Sequence, residues 1–122
     1  MEPIFDSSGR TVAWLDNVIL RDIQGQPAAF LKGDAVWDYR GQYLGRLQNG
    51  YFRDRRGDAV AFLRDHGAGP LPPLAQLPPL PPLASIAPIS PLTGLPPLAP
   101  LPSFAWSGLT WDDFLNVRRV LR

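Results

Sequence analysis

Cysteine is absent from this chain of 122 residues, and His66 is its single histidine. The first absence excludes disulfides, thiolate zinc sites and a cysteine nucleophile, and the second excludes a histidine-rich metal site. Charge of one sign is not in excess either. With 12 Lys+Arg against 11 Asp+Glu, no electrostatic argument favours nucleic acid or an anionic membrane as partner. Between His66 and Trp111 there is no Asp, Glu, Lys or Arg at all. That uncharged stretch does not read as a membrane span, because 13 of the 15 prolines fall inside it. Ser7, Ser8, Ser85, Ser90, Ser103 and Ser107 have no His–acid arrangement around them, and no glycine-rich phosphate loop is present. Neither an enzyme nor a cofactor is expected. Met1 to Asp6 lacks the basic region and apolar run of a signal peptide, so a cytoplasmic location is the expectation.

What is present is order at two periods. Over residues 1–66 a unit of 16 residues recurs: Asp6, Asp22, Asp38 and Asp54, each followed three residues later by Gly9, Gly25, Gly41 and Gly57. Small residues come next (Ala13, Ala29, Gly45, Ala61), then Leu15, Leu31, Leu47 and Leu63. Ile4, Leu20, Val36 and Phe52 precede each Asp-x-x-Gly, and Asn17, Gly33, Asn49 and Asp65 mark a second reversal. Asp at the start and Gly at the end suit a tight turn capped by the carboxylate, while the arms between turns are rich in β-branched and aromatic residues. Four units predict about eight short strands. Alternation puts Ala13 and Leu15 on one face, suited to packing around an axis, and Val12 and Trp14 on the other.

The repeated Asp-x-x-Gly…Ala-aromatic-Leu unit, the Pro/Leu-rich stretch and the closing Trp106-Ser107-Gly108-Leu109-Thr110-Trp111-Asp112-Asp113-Phe114 together resemble the bacterial four-fold beta-flower family. The resemblance implies four β-hairpins around a pseudo-four-fold axis and no established activity. Three positions depart from a uniform ring: Arg46 stands where the other repeats have Trp14, Phe30 and Phe62, and Arg21 and Arg53 interrupt a second apolar column.

The second period is three. Leu71, Leu74, Leu77, Leu80, Leu83, Ile86, Ile89, Leu92, Leu95, Leu98, Leu101 and Phe104 fall on every third residue. Polyproline II has three residues per turn, so all twelve would share one face of an extended rod. Such a rod would reach roughly 105 Å, against a head about 25 Å across. A straight rod of that length favours contacts with other chains over its own head; the alternative is a bend around the head, for which Thr93-Gly94 is the candidate.

A short helix is expected over about residues 110–122, with Thr110 as N-cap, Asp112 and Asp113 in the first turn and Arg118, Arg119 and Arg122 near its end. Trp111, Phe114, Leu115, Val117, Val120 and Leu121 would form its apolar side.

The chain thus divides into a mainly β head of four hairpin repeats (1–66), a polyproline II segment (67–103) and a Trp-containing capped helix (104–122). The expected function is a non-enzymatic assembly or adaptor protein. Its contact residues would be the stripe of twelve together with Trp106, Trp111 and Phe114, and its partner a protein, either another copy or a different one. Phe30, Trp37 and Phe62 are further candidate contact aromatics on the head, core packing being the plainer role for each. The alternative is a β head that binds a small molecule or a cation and carries a passive tether, accessory to a toxin or secretion system. In that reading the four aspartates would hold a hard ion such as calcium on the axis; the plainer reading is that each caps its own turn. His66 reads as a loop residue and Arg53, Arg55 and Arg56 as a solvated, locally ion-paired turn.

Overall fold

The computed structural model describes residues 1–116. Eight antiparallel strands follow one another around a closed barrel: β1 (Glu2–Asp6), β2 (Thr11–Asp16), β3 (Ile19–Arg21), β4 (Pro27–Lys32), β5 (Ala35–Trp37), β6 (Tyr43–Gln48), β7 (Tyr51–Arg53) and β8 (Ala59–Phe62). One short helix, α1 (Trp111–Leu115), ends the described chain. The barrel closes where β1 pairs with β8 through Phe5 with Phe62 and Asp6 with Ala61. Closure leaves no open sheet edge for another chain to extend.

Each Asp-x-x-Gly is the turn of one hairpin. In the first, the Asp6 carboxylate accepts the backbone N–H groups of Ser8 and Arg10, and Gly9 sits at φ 85°. Asp22, Asp38 and Asp54 make the same pair of bonds at 2.9–3.1 Å, with Gly25, Gly41 and Gly57 at φ 89°, 83° and 90°. A side chain at that φ is strained, which is why glycine recurs there. The opposite reversals run through Asn17 (φ 57°), Gly33 (φ 63°) and Asn49 (φ 52°), again in the left-handed region.

A register shift recurs beside every Asp-x-x-Gly turn, between Ile4/Phe5, Leu20/Arg21, Val36/Trp37 and Phe52/Arg53. Opposite these steps Val12, Ala28, Leu44 and Val60 are the extra residues. Bulges increase strand twist and coiling, which helps such short strands close a barrel. Leu44 and Val60 belong to the inner cluster with Ile4, Ala13, Leu15, Leu20, Ala29, Val36, Phe52, Ala61 and Leu63, and Val12 packs against it. The bulge thus turns Val12 inward, a residue that simple alternation places on the outer face. The small-residue and leucine columns therefore do face the axis.

Helix α1 enters this cluster at the Asp-x-x-Gly end. Thr110 caps it reciprocally, accepting from the Asp113 N–H while the Asp113 carboxylate accepts from the Thr110 N–H. Trp111 meets Phe52 edge-on at 5.3 Å, and Phe114 is buried against Gly45. A Cβ on Gly45 would come within 2.8 Å of the Phe114 ring and collide with the Arg53 carbonyl. The one glycine among three alanines is thus the notch that admits Phe114. The expected contribution of Val117, Arg118, Arg119, Val120, Leu121 and Arg122 lies outside the described residues.

Candidate functional site

From Gly67 onward the chain takes neither helix nor strand until α1, and it follows the barrel's circumference. It begins at Tyr51, whose hydroxyl donates to the Pro70 carbonyl at 2.6 Å. The Gln76 N–H then bonds the Gly9 carbonyl, that of Ser85 the Gly25 carbonyl, and that of Ser103 the Gly57 carbonyl. Carbonyls of Leu74, Leu83, Leu92 and Leu101 lie over Gly9, Gly25, Gly41 and Gly57 in turn. The segment ends where it began: Ala59 exchanges backbone bonds with Ala105 and Ser107, and the Trp106 ring meets Tyr51 and Phe62 at 6.2 and 6.1 Å. It is a belt that makes one circuit and meets itself at Tyr51.

Proline lacks an N–H, so a proline-rich belt is rich in carbonyl acceptors and poor in donors. Besides the Tyr51 hydroxyl, the head supplies cationic donors to it. Arg21 Nη1 bonds both the Gly25 carbonyl (2.9 Å) and the Ser85 carbonyl (2.7 Å). Arg53 Nη1 repeats this on Gly57 (2.6 Å) and Ser103 (2.8 Å). Arg46 donates to Pro97 at 2.8 Å and Lys32 to the Thr93 hydroxyl at 3.0 Å. Bonds from charged donors are the stronger kind. Arg21, Arg46 and Arg53, which look like defects in the repeat, are the pegs on which the belt hangs.

Two of these pegs, Arg21 and Arg53, are buried, and their surroundings differ. Arg21 Nε pairs with the Asp16 carboxylate at 2.9 Å. At the equivalent place beside Arg53 stands Gln48, and Arg53 Nε and Nη2 are buried without a hydrogen-bond partner. Burial lowers the Arg53 pKa, while Tyr51, Asp58 and Asp54 oppose that effect; the guanidinium lies 5.5 Å over the Tyr51 ring. The same burial raises the Tyr51 hydroxyl above its ordinary value.

Twelve stripe residues, Leu71 to Phe104 in steps of three, point away from the barrel and are 73–100% exposed. The belt therefore docks by its backbone and its proline and small faces, leaving an apolar girdle outside. The sequence favoured a rod reaching other chains; the structure instead lays the segment on its own head with the stripe outermost. Trp106, Trp111 and Phe114, expected as partner contacts, are taken up within the chain, the first by Tyr51 and Phe62 and the other two by the barrel mouth. Phe30, Trp37 and Phe62 are buried as well and offer no surface to a partner.

The aspartates spend their carboxylates locally. Beyond the turn bonds, Asp54 Oδ2 accepts from Ser107 and Asp58 Oδ1 from Ser103, both at 2.6 Å. No group of three or more His, Cys, Asp or Glu able to hold a metal occurs among the described residues. His66 bonds the Leu63 carbonyl through Nδ1 and stacks edge-on against Tyr51 and Phe62. An open cleft of about 350 Å³ lies between α1 and the last turn, near Leu44, Asp54, Arg55, Asp58 and Phe114. No helix among the described residues is long and apolar enough to cross a membrane.

One signal for the belt was present in the sequence and hidden by the stripe. Pro73, Pro82, Pro91 and Pro100 recur every nine residues, each followed by leucine and, three positions after the proline, by Gln76, Ser85, Gly94 and Ser103. Nine is a multiple of three, so the stripe's period masks it. Nine belt residues match sixteen head residues, one quarter of the circuit each. No curated protein and no solved structure matches the chain. The family model described as 4-fold beta flower protein matches residues 2–115. The chain belongs to the 4-fold beta flower protein family.

Proposed function

We propose that this is a non-enzymatic assembly protein that binds other protein chains through the girdle around its barrel. The observation that carries the reading is the exposure of twelve large apolar residues in one continuous row. Monomeric soluble proteins rarely leave a contiguous apolar surface of that extent uncovered. In this reading the head is a hub, the belt is wound on it as polyproline II, and the leucines are what the hub offers.

Lengths support the winding. Eight strands about 4.8 Å apart and tilted about 40° give a barrel radius of about 8 Å. Another ~10 Å for a packed layer brings the belt to about 18 Å from the axis, a path of roughly 113 Å. Four nine-residue steps of polyproline II at ~3.1 Å per residue span about 112 Å. The length that overshoots the head's diameter matches its girth. A passive tether would need none of the ties made by Tyr51, Arg21, Arg46 and Arg53.

Deleting the belt would uncover Phe5, Tyr51 and Phe62 and so confuse loss of contact with loss of fold. Surface substitution is cleaner. A variant with Leu77, Leu80, Ile86, Ile89, Leu95 and Leu98 changed to Gln should keep the wild-type circular dichroism. Light scattering should find the wild type heavier than one chain and the variant at one chain. Equal masses for the two, with no protein partner lost by the variant, would sink the proposal.

A further inference from the structure

We infer that the girdle's occupant is further copies of this chain, packed rim to rim in an open planar array. This rests on the girdle being a protein contact surface, and it adds the partner and the geometry.

The first argument is repetition. Each quarter of the circuit carries the same kind of edge, for example Leu83, Ile86 and Ile89 over the second hairpin and Leu92, Leu95 and Leu98 over the third. A two-fold contact through one edge leaves three others uncovered, so nothing closes the assembly at two chains. The second argument is area. Two convex rims of about 18 Å radius diverge by ~5 Å within about 9 Å of their contact point, so two or three side chains meet per edge. That falls well short of the ~800 Å² per partner of a standard stable interface. Edges this small hold only when several act together.

Fit is the third argument. Side chains spaced by three residues of polyproline II stand about 9.3 Å apart, and the gap between two leucines accepts one from an opposing row. A regular row is therefore complementary to an antiparallel copy of itself. No charge between His66 and Trp111 opposes that approach. A bilayer suits the girdle less, since its hydrocarbon is about 30 Å thick and the row is one side chain high.

The test is sedimentation of the full chain over a concentration series, beside two variants. In the first, all twelve girdle residues are Gln; in the second, Leu83, Ile86 and Ile89 are kept and the other nine are Gln. Wild-type average mass should climb with concentration without reaching a plateau. The single-edge variant should stop at two chains and reach them only at concentrations at least tenfold higher. The all-Gln variant should stay at one chain. A wild-type plateau at fixed stoichiometry, lost in the all-Gln variant, overturns the array but leaves the girdle as a contact surface. A wild type that stays at one chain and retains no protein partner overturns both. A single-chain wild type that floats with phosphatidylcholine vesicles, when the all-Gln variant does not, assigns the girdle to lipid and overturns the array.

Discussion

Barrel and belt are built from the same apolar residue, leucine, and place it on opposite sides. Leu15, Leu20, Leu44 and Leu63 are sealed inside the barrel, whereas Leu71 through Leu101 stand outside the belt. The difference begins in the backbone. A strand satisfies its N–H and C=O groups sideways, on neighbouring strands, so its side chains are free to sort by polarity across the sheet. A proline-rich chain has few N–H groups and no ladder of its own, so its carbonyls bond water or whatever donors the chain lies against. Here the ties run both ways: Tyr51, Arg21, Arg46 and Arg53 donate to belt carbonyls, and the N–H groups of Gln76, Ser85 and Ser103 donate to carbonyls of the head's turns. The bonding edge therefore faces inward and the leucines face out. Where the backbone finds its partners has overridden hydropathy in deciding which face is buried.

The strongest way to break that contrast is to shorten an apolar side chain in each region. Phe52→Ala should cost about 3–5 kcal/mol, since the ring is fully buried and supports Trp111. Leu92→Ala, at a side chain fully exposed in the single chain, should change stability by less than about 0.5 kcal/mol. Urea unfolding of dilute protein, below the range of any association, measures both. Comparable costs would mean that the stripe is buried in the single chain.

A smaller effect tests the barrel mouth. Gly45→Ala restores the residue found in the other three repeats, yet it should destabilise by roughly 1–3 kcal/mol because the new methyl meets Phe114 and the Arg53 carbonyl. Pairing it with Phe114→Ala, which removes the obstructing ring, should recover part of that cost relative to the sum of the singles. Strict additivity in a thermal-melt cycle would disprove the notch.

These elements were unequally legible in the sequence. The sixteen-residue unit announced the hairpins, because turns need Asp and Gly at fixed places and the inner columns need small and branched residues. The aspartates' role followed from the same turn chemistry. Arg21, Arg46 and Arg53 did not read as belt anchors, since a cation in an apolar column has meaning only once its carbonyl partners, 50 to 64 residues away, are known. Gly45 was equally opaque without Phe114. The nine-residue pitch was visible in principle, but nothing in the belt alone says that nine residues correspond to a quarter of a barrel.

The belt's closure point is open to titration. Tyr51→Phe removes the bond to Pro70 and should cost about 1–1.5 kcal/mol. Burial holds the Tyr51 hydroxyl above its ordinary value of 10.0, so the folded state keeps this proton longer than the unfolded chain does. Its contribution is therefore complete below about pH 10 and is lost as pH rises through the folded value. Tyr39 is shifted in the same direction by burial. Stability measured on the alkaline side should fall less steeply in Tyr51→Phe than in the wild type, with Tyr39 contributing to the slope that remains. An unchanged alkaline slope would contradict Tyr51's part in it.

The smallest effect sharpens the comparison within the belt's own anchors. Arg21 and Arg53 hold equivalent serine carbonyls through the same nitrogen, yet only Arg21 has a carboxylate at its Nε. The difference traces to one position of the repeat, Asp16 in one hairpin and Gln48 in the other. Gln48→Asp should give Arg53 the missing partner and stabilise the protein by about 0.5–1 kcal/mol, at the upper end for a partly exposed ion pair. The gain should shrink at high salt, as screening of a half-exposed carboxylate requires. Asp16→Asn should lose a similar amount at Arg21, with the same salt dependence. If Gln48→Asp is neutral while Asp16→Asn is costly, then the cation–π contact with Tyr51, which Arg21 lacks because Ile19 stands there, already supplies what Arg53 needs. In that case Gln48→Asp combined with Tyr51→Leu should bring the ion pair's contribution back.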